Sequence, residues 1–309
     1  MELNIHNVEL LLLTAAVVAM IARRFHFPYT VGLIVAGIGL AVSPIKINIE
    51  LTKELIYTGL LPPLIFEAAN ALKWSELKKV ISPSLVFAIL GTLIATIATA
   101  AGIHIALGWP LGAAATFGAL IAATDPVSVI ATFKEAGITG RLRTLVEAES
   151  LFNDGIATIL FSLVVAFNEG MLLEPTHLVL NSIYTIAGGM FVGVLMGAGT
   201  LFLFGRTTDY LVELTLTTIA AYGSFFLAER LECSGVLATL MAGLVIGNKR
   251  NMGFITEKGD AAVKAFWEFA AFIANSLIFI LIGINEAQQS FKDYPMACGM
   301  AILAVLFGR

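Results

Sequence analysis

The residues most able to do chemistry in this sequence are carboxylates that lie inside long apolar runs. Asp154 lies well within RTLVEAESLFNDGIATILF, and Asp125 lies within GALIAATDPVSVIATF. An ionised carboxylate at the centre of a bilayer costs about 2.5 to 3.5 kcal/mol even on lenient insertion scales, so such an acid indicates function. Carboxylate oxygens bind protons and hard cations such as sodium. The two aspartates therefore predict a site for a proton or a cation.

Helix geometry groups the polar residues near Asp154. Ser150 and Asp154 are four residues apart, so they share one side of a helix and are predicted to form one ligand face. Glu147 extends that stripe, whereas Glu149 lies beside Asn153 on a neighbouring stripe. Glu147 is equally compatible with an ion site and with a carboxylate that reaches water at the inner membrane surface. For Asp154 only the ion site is compatible with its depth, and we expect it to be buried.

Pro126 predicts a break in the helix that carries Asp125. Proline lacks an N–H and excludes the preceding residue from the right-handed helical region. Asp before Pro is also the preferred order for an N-cap and a first helical turn, so we expect a second half-helix to begin at Pro126. Interrupted backbone at this depth occurs where it lines a cavity or meets a ligand. A proline kink is the alternative, but a kink does not require an acid.

A further candidate is Glu67, within the run LLPPLIFEAA. Pro62 and Pro63 are expected to disturb the start of its helix. Glu67 lies a few residues before a basic segment, so its depth in the membrane is ambiguous. An ion-site role and a carboxylate that extends to the membrane surface are equally open for this residue.

The composition places these acids in a membrane protein. The chain is 58% hydrophobic and 13% charged, with a mean hydropathy of +0.91, which is more apolar surface than a soluble globule of 309 residues can bury. A helix needs roughly 20 residues to cross a bilayer, and many of the apolar runs are close to that length. They predict an all-α polytopic membrane protein with helices at 8–22, 28–42, 55–71, 82–107, 110–134, 142–167, 177–204, 210–228, 234–248, 260–284 and 295–309.

The distribution of basic residues predicts the orientation in the cell membrane. Cytoplasmic loops are enriched in Lys and Arg, so the loops richer in these residues are assigned to the inside. If the amino terminus is outside, the outer loops contain only Lys46, Lys53, Arg230 and Lys292. The inner loops then contain Arg23, Arg24, Lys73, Lys78, Lys79, Lys134, Arg141, Arg143, Arg206, Lys249, Arg250 and Lys258. We therefore expect an outside amino terminus.

The remaining polar and small residues are interpreted as structural. Gly189, Gly193 and Gly197 recur at every fourth position, which favours close helix packing, within the chain or across a dimer. Cys233 and Cys298 are too few for a disulfide framework and lack metal-ligand spacing. No cofactor and no nucleic-acid partner are expected.

Three motifs in order suggest a family. LPPLIFEAA, ATDPVSV and EAESLFNDG fall on the third, fifth and sixth predicted helices, and GVLATLMAGLVIGN falls on the ninth. They resemble the monovalent cation:proton antiporters of the sodium/proton exchanger kind. The resemblance implies an inverted-repeat fold with interrupted core helices, in which helices four to six and eleven to thirteen form a core beside a homodimer-forming interface domain.

On this chain the resemblance implies an interface domain at 1–78 and 169–290, a transport core at 79–168, and the start of the second core half at 291–309. The family's twelfth and thirteenth helices have no counterpart in the sequence. We therefore expect the sequence to stop within the eleventh helix, and to be unable to transport by itself.

The resemblance also assigns roles to residues. Asp154 matches the transport carboxylate that binds a cation or a proton, and Asn153 matches the asparagine of the electroneutral branch. Sodium is implied to bind Asp154, Ser150 and the backbone oxygen of Thr124. The positions that match ion- or proton-binding groups are Asp154, Asp125, Thr124, Ser150 and Glu67, with Pro126 and Asn153 as supporting residues. Glu149 matches an acid paired with an arginine of the eleventh helix, for which Arg309 is the candidate.

The predicted function is sodium/proton exchange by alternating access. A carboxylate removed from water favours its neutral form, so a proton and a sodium ion are expected to compete for Asp154. If the core moves only when the site is neutralised, one-for-one exchange follows from a single site.

The sequence is also compared with what three other classes of protein would require. A transporter of another solute is the main alternative, although the acid-rich core disfavours an organic anion. A passive cation channel is also compatible with the sequence. An enzyme is disfavoured, because the acids stand in Thr-Asp-Pro and Asn-Asp-Gly and the sequence before Ser234 lacks the first glycine of Gly-x-Ser-Gly.

Overall fold

The structure is a computed structural model that describes residues 5–25, 27–43, 52–124, 129, 133, 140–170, 175–249, 255–289 and 294–308. Within these ranges the regular secondary structure is entirely helical. The helices are α1 Ile5–Phe25, α2 Tyr29–Val42, a π-helical segment Leu55–Leu60, α3 Leu61–Ala71, α4 Trp74–Leu107, α5 Leu111–Ile121, α6 Arg141–Asn168, α7 Pro175–Phe204, α8 Tyr210–Arg230, α9 Gly235–Lys249, α10 Glu257–Ala287 and α11 Pro295–Gly308. Each predicted apolar run overlaps one of these α-helices, which confirms the all-α class.

Several helices are suited to span a bilayer. The helices long and apolar enough to cross a membrane are α4, α6, residues 183–204 of α7, α8 and α10. The apolar parts of α2, α5, α9 and α11 are shorter. Large apolar side chains point outward along them; examples are Ile94, Phe191 and Leu211. Outward apolar surface on long helices is stable in lipid and not in water. The chain is therefore a multi-pass membrane protein.

Contacts divide the chain into two compact units. The first unit is Met1–Leu72 with Thr185–Gln289, and the second is Lys73–Tyr184 with Ser290–Arg309. The predicted domain boundaries at 78 and 168 differ from these. The first division comes earlier because α4 already begins at Trp74, and the second falls inside the continuous helix α7. The roles of interface domain and transport core stay predictions.

The prolines of the third predicted span mark a change of helix type. The chain runs as a π-helix over Leu55–Leu60 and continues as α3 from Leu61. Pro62 and Pro63 lie buried in the first turn of α3, directly after the π-helical segment, and their missing N–H groups cannot bond its carbonyl oxygens. The expectation that these prolines disturb the start of the helix is confirmed.

The glycine stripe of α7 packs inside the first unit, against α9 and the residue before it. A methyl group at Gly189 would overlap Ser234, one at Gly193 would overlap the carbonyl oxygen of Ala238, and one at Gly197 would lie 2.9 Å from Cβ of Val245. Without a Cβ, the two helix backbones approach closely and gain dispersion contacts. Of the two predicted alternatives, packing within the chain and packing across a dimer, the structure shows packing within the chain.

A buried carboxylate joins α8 to the start of α10. Glu213 is fully buried, and its Oε1 and Oε2 accept hydrogen bonds from N and Oγ1 of Thr256 at 3.0 and 2.8 Å. Thr256 is the N-cap of α10, because its Oγ1 accepts from N of Gly259 at 3.0 Å. A negative charge at a helix amino terminus is stabilised by the helix dipole. The sequence analysis did not single out this acid.

Glu213→Ala is expected to lower the thermal stability of the detergent-solubilised protein. The substitution removes the acceptor of N and Oγ1 of the half-buried Thr256; an unsatisfied buried group costs about 1–3 kcal/mol, and partial access to solvent places this loss at the lower end. Glu213→Gln keeps the shape and one acceptor, so its thermal midpoint should lie between those of Glu213→Ala and the wild type. Equal midpoints for Glu213→Ala and the wild type, measured by tryptophan fluorescence, would show that the two bonds contribute nothing.

In the second unit, α4 packs against α5, α6 and α11. The predicted start of α4 at residue 82 is wrong, because the helix begins at Trp74 and continues through Pro83 without a break. A proline removes only one helical hydrogen bond, and apolar packing on both sides of it sustains the helix. The resulting helix presents a row of buried polar residues to its neighbours, namely Ser84, Thr92, Thr96 and Thr99.

Candidate ion-binding site

The site is built around the end of α5. This helix stops at Ile121, and Thr124 already lies outside it. Val129 and Phe133 are again helical. The predicted break at Asp125 and Pro126 lies outside the described residues, as does the start of the predicted half-helix.

Two side chains of α6 hold the residues that follow α5. Ser150 Oγ donates to the carbonyl oxygen of Thr124 at 2.7 Å. Asn153 Nδ2 donates to Oγ1 of Thr124 at 2.8 Å and lies 3.4 Å from the carbonyl oxygen of Ala122. Ser150 and Asn153 are 4% and 3% exposed, so these bonds are shielded from solvent. The carbonyl oxygen and the hydroxyl of Thr124 are thereby fixed to α6, as expected for a helix end that must keep its shape without helical bonds.

The expected burial of Asp154 is wrong for the described chain. Asn153 and Ser150 form the buried face of α6, whereas the side chain of Asp154 is exposed. Successive helical residues point about 100° apart, so the inward orientation of Asn153 turns Asp154 away from α4 and α5. Ser150 and Asp154 still lie one turn apart on the same side of α6, but Ser150 is buried and Asp154 is exposed, so the expectation of one buried ligand face is corrected. Asp154 is an accessible carboxylate directly beside a buried hydrogen-bond network.

The structure favours one of the two interpretations of Glu147. Arg143 Nε donates to Glu147 Oε1 at 2.7 Å, one turn earlier on α6. A carboxylate already paired with an arginine close to the helix start matches the surface interpretation rather than an ion ligand. Glu149 is partly buried on the same helix, and its predicted partner Arg309 lies outside the described residues. That pair stays a prediction.

Glu67 belongs to the other compact unit. It lies partly buried on α3, between the buried residues Phe66 and Ala69. Its predicted role as a group that lines the ion site stays a prediction. The residues Thr124, Ser150, Asn153 and Asp154 all belong to the second unit.

The sequence analysis missed Thr92 of α4. Its Oγ1 lies 2.5 Å from Oδ1 of Asn153, and the side chain is 2% exposed. A weak signal was present, because Thr92, Thr96 and Thr99 recur at helical spacing within an apolar helix and are all buried. Threonines on an apolar helix are common as packing residues that bond their own backbone, so spacing alone does not identify a partner.

The oxygens of Ser150 and Thr124 that meet here, and the exposed carboxylate of Asp154 one turn along α6, are of types that suit a hard cation. The carboxylate of Asp154, Oγ of Ser150 and the carbonyl oxygen of Thr124 are the ligand types that such ions prefer. Oγ of Ser150 donates its proton to Thr124, so its lone pairs stay available to a cation.

Comparison with known proteins decides the family. The protein-family model described as "Sodium/hydrogen exchanger, transmembrane" matches residues 11–309. The chain belongs to this family. A curated member from Aphanothece halophytica, "Na(+)/H(+) antiporter ApNhaP", is 39% identical over 299 residues, which cover 96% of this chain and 57% of the relative. "Low-affinity Na(+)/H(+) antiporter NhaS1" of Synechocystis sp. is 38% identical over 304 residues, again 57% of the relative. The chain thus spans little more than half the length of these family members.

The solved structures confirm the fold. The sodium proton antiporter MjNhaP1 from Methanocaldococcus jannaschii superimposes with a TM-score of 0.74 at 22% sequence identity, covering 92% of this chain and 70% of that one. The predicted resemblance and the predicted fold class, an all-helical antiporter fold, are both confirmed.

Proposed function

We propose that the protein containing this chain exchanges sodium ions for protons across the cell membrane. The observation that carries the proposal is the position of Asp154. The chain belongs to the exchanger family, and Asp154 lies next to Asn153 and one turn from Ser150. Asn153 and Ser150 together fix the residues that follow the end of α5. Several relatives are named Na(+)/H(+) antiporters, which supports the same activity here.

Asp154 is the group for which proton and cation compete. A proton neutralises the carboxylate covalently, and sodium neutralises it as a bound ion, so each excludes the other. Ser150 Oγ and the Thr124 carbonyl oxygen replace water around the cation, with Asp125 and Glu67 as further oxygen ligands. The core changes its accessible side only when Asp154 is neutralised, and one sodium is therefore exchanged for one proton. Lithium, which also binds hard oxygen ligands, is a second candidate cation.

The state of Asn153 supports an electroneutral cycle. Its amide adds no charge, and both its nitrogen and its oxygen are engaged in hydrogen bonds to the protein. Asn153 thus has a structural task that does not change between the loaded and the protonated site. A second carboxylate at this position would add a second charge to carry.

The remaining features of the proposal follow from the family and the basic residues. We assign 1–78 and 169–290 to an interface domain that forms a homodimer in the bilayer, and 79–168 with 291–309 to the moving core. The amino terminus lies outside, and transport requires neither a cofactor nor enzymatic chemistry. The division of contacts into two compact units supports the separation of interface and core.

Proton flux in sealed proteoliposomes tests the proposal. The complete protein is reconstituted, a pH gradient is imposed, and sodium, lithium, potassium or choline is added outside. Collapse of the gradient by sodium but not by choline, unchanged when the membrane potential is clamped, is expected. Flux that needs no counter-ion would instead identify a channel, and no response to any cation would favour a transporter of another solute.

The rate of exchange is expected to peak at an intermediate pH. Below the peak, protons occupy Asp154 and exclude sodium, and above it scarce protons slow the return of the core. The rise on the acidic side should shift to lower pH when sodium is increased, because the two ligands compete. A peak that does not move between low and saturating sodium would contradict competition at one carboxylate.

A further inference from the structure

We propose that Thr92 of α4 is a positioning residue for sodium binding, which orients the amide of Asn153 and so fixes the residues after α5. The inference rests on the proposed function, because its readout is sodium-dependent exchange. Within the described part of the chain, the side chain of Thr92 is hydrogen-bonded to Ala88 and Asn153. It acts through Asn153, which in turn holds Thr124.

The hydroxyl of Thr92 lies between two acceptors. Oγ1 is 2.5 Å from the carbonyl oxygen of Ala88 and 2.5 Å from Oδ1 of Asn153. A hydroxyl has one proton, so only one of these short contacts is a donated bond at a given moment. The carbonyl oxygen of Ala88 lies one turn back on α4, in the position that accepts the helical bond from N of Thr92. Asn153 Oδ1 has no such alternative donor among the described groups around it, so it has the stronger demand for the proton.

The orientation of the Asn153 amide follows from its other neighbours. The carbonyl oxygen of Ala122, 3.4 Å away, can only accept, so the amide nitrogen must face it. Oδ1 then points to α4, where Thr92 Oγ1 is the donor. Without that hydroxyl, a buried amide oxygen would lack a partner, and the amide would gain by rotating toward another donor.

A rotated amide would place its oxygen against the carbonyl oxygen of Ala122 and would reverse the bond to Thr124, whose hydroxyl would have to donate, so it would disturb the way Thr124 is held. In the observed orientation, Nδ2 of Asn153 is 2.8 Å from Oγ1 of Thr124, while Oγ of Ser150 holds the Thr124 carbonyl oxygen. These bonds join α4, α6 and the end of α5 into one frame. The carbonyl oxygen of Thr124 and Oγ of Ser150 are proposed sodium ligands, and their separation depends on that frame. Loss of the Thr92 hydroxyl is therefore expected to weaken sodium binding more than it slows the conformational cycle.

Thr96 provides a matched control. It lies one turn after Thr92 on the same helix and is buried to a similar degree, at 5% exposure against 2%. Its Oγ1 is buried and has no hydrogen-bond partner within the described part of the chain. Thr96→Val therefore makes the same chemical change as Thr92→Val, at a similarly buried position, without removing a bond to Asn153.

The test measures the sodium concentration that gives half-maximal proton flux in proteoliposomes containing the complete protein. Thr92→Val is expected to raise this concentration about three- to tenfold, the affinity equivalent of one neutral hydrogen bond, with little change in the maximal rate. Thr92→Ser restores the hydroxyl and should return the value to that of the wild type. Thr96→Val should leave both parameters unchanged.

Two outcomes would overturn the inference while the proposed function stands. One is a wild-type half-maximal concentration in Thr92→Val, and the other is an equal shift in Thr96→Val, which would indicate a general packing effect. If Thr92→Val does not fold, Thr92→Cys takes its place, since a thiol keeps the volume but donates weakly. An unchanged value in Thr92→Cys would likewise reject the inference. Absence of sodium-dependent flux in the wild type would instead reject the proposed function itself.

Discussion

Asp154→Asn is expected to reduce sodium-dependent proton flux to the level of empty vesicles. An amide neither releases a proton nor carries the negative charge that holds sodium, so the substitution fixes the site in one neutral state. Asp154 is exposed on α6, so an isosteric amide should cost little stability. The measurement is the initial rate of gradient collapse after sodium addition, normalised to the amount of folded protein.

Glu169→Gln is the matched control for that experiment. Glu169 is an exposed acid at the carboxyl end of α6, and its backbone N–H caps that end by donating to the carbonyl oxygen of Val165. The same change from acid to amide on the same helix should leave flux unaffected. If Asp154→Asn retains exchange at a rate comparable with Glu169→Gln, another group carries the proton, and Asp125 is the next candidate.

Gly193→Ala is expected to destabilise the protein more than any other single glycine-to-alanine substitution on α7. The added carbon would overlap the carbonyl oxygen of Ala238 and lie 2.8 Å from Cβ of Met241. Both neighbours belong to helix α9, and a backbone carbonyl cannot rotate away as a flexible side chain can. Overpacking of this kind costs about 1–3 kcal/mol. The thermal midpoint of the solubilised protein should fall, as should the yield of folded protein.

Gly199 offers the opposite case on the same helix. A methyl group there has no atom within 4 Å, so Gly199→Ala should gain about 1 kcal/mol of helix propensity without a clash. The two variants are chemically identical and lie less than two turns apart. A fall in midpoint for both, or for neither, would contradict the close packing of α7 on α9.

The succession of helices was predictable because lipid imposes a simple rule on sequence. A span needs about 20 apolar residues, and every run that meets this demand proved to contain a helix. The start of α4 was missed because its first turns, from Trp74, are polar enough to resemble a loop. Pro83 reinforced that error, since a proline usually marks a helix boundary.

The site was predictable in its residues but not in its orientation. Motifs identified Ser150, Asn153 and Asp154 as one segment, yet a helical spacing of four cannot say which stripe faces inward. That choice is made by the partners of Asn153 on other elements, Thr92 and Thr124, which lie far from it in sequence. Hydrogen bonds between distant elements leave no local pattern in the sequence, so the sequence alone does not identify Thr92 as a partner of Asn153.

The length of α4 makes the packing of this protein sensitive to the thickness of the bilayer. Its 34 residues extend about 50 Å at 1.5 Å per residue, whereas the hydrocarbon layer is about 30 Å thick. The excess is met by tilt and by the polar first turns, where exposed Trp74, Lys78 and Lys79 are of the types that anchor in the headgroup layer. A thinner membrane would increase the hydrophobic mismatch on α4, the helix that carries Thr92. We therefore expect the lipid composition of the vesicles to alter the hydrogen-bonded frame of α4, α6 and the end of α5 that holds Thr124.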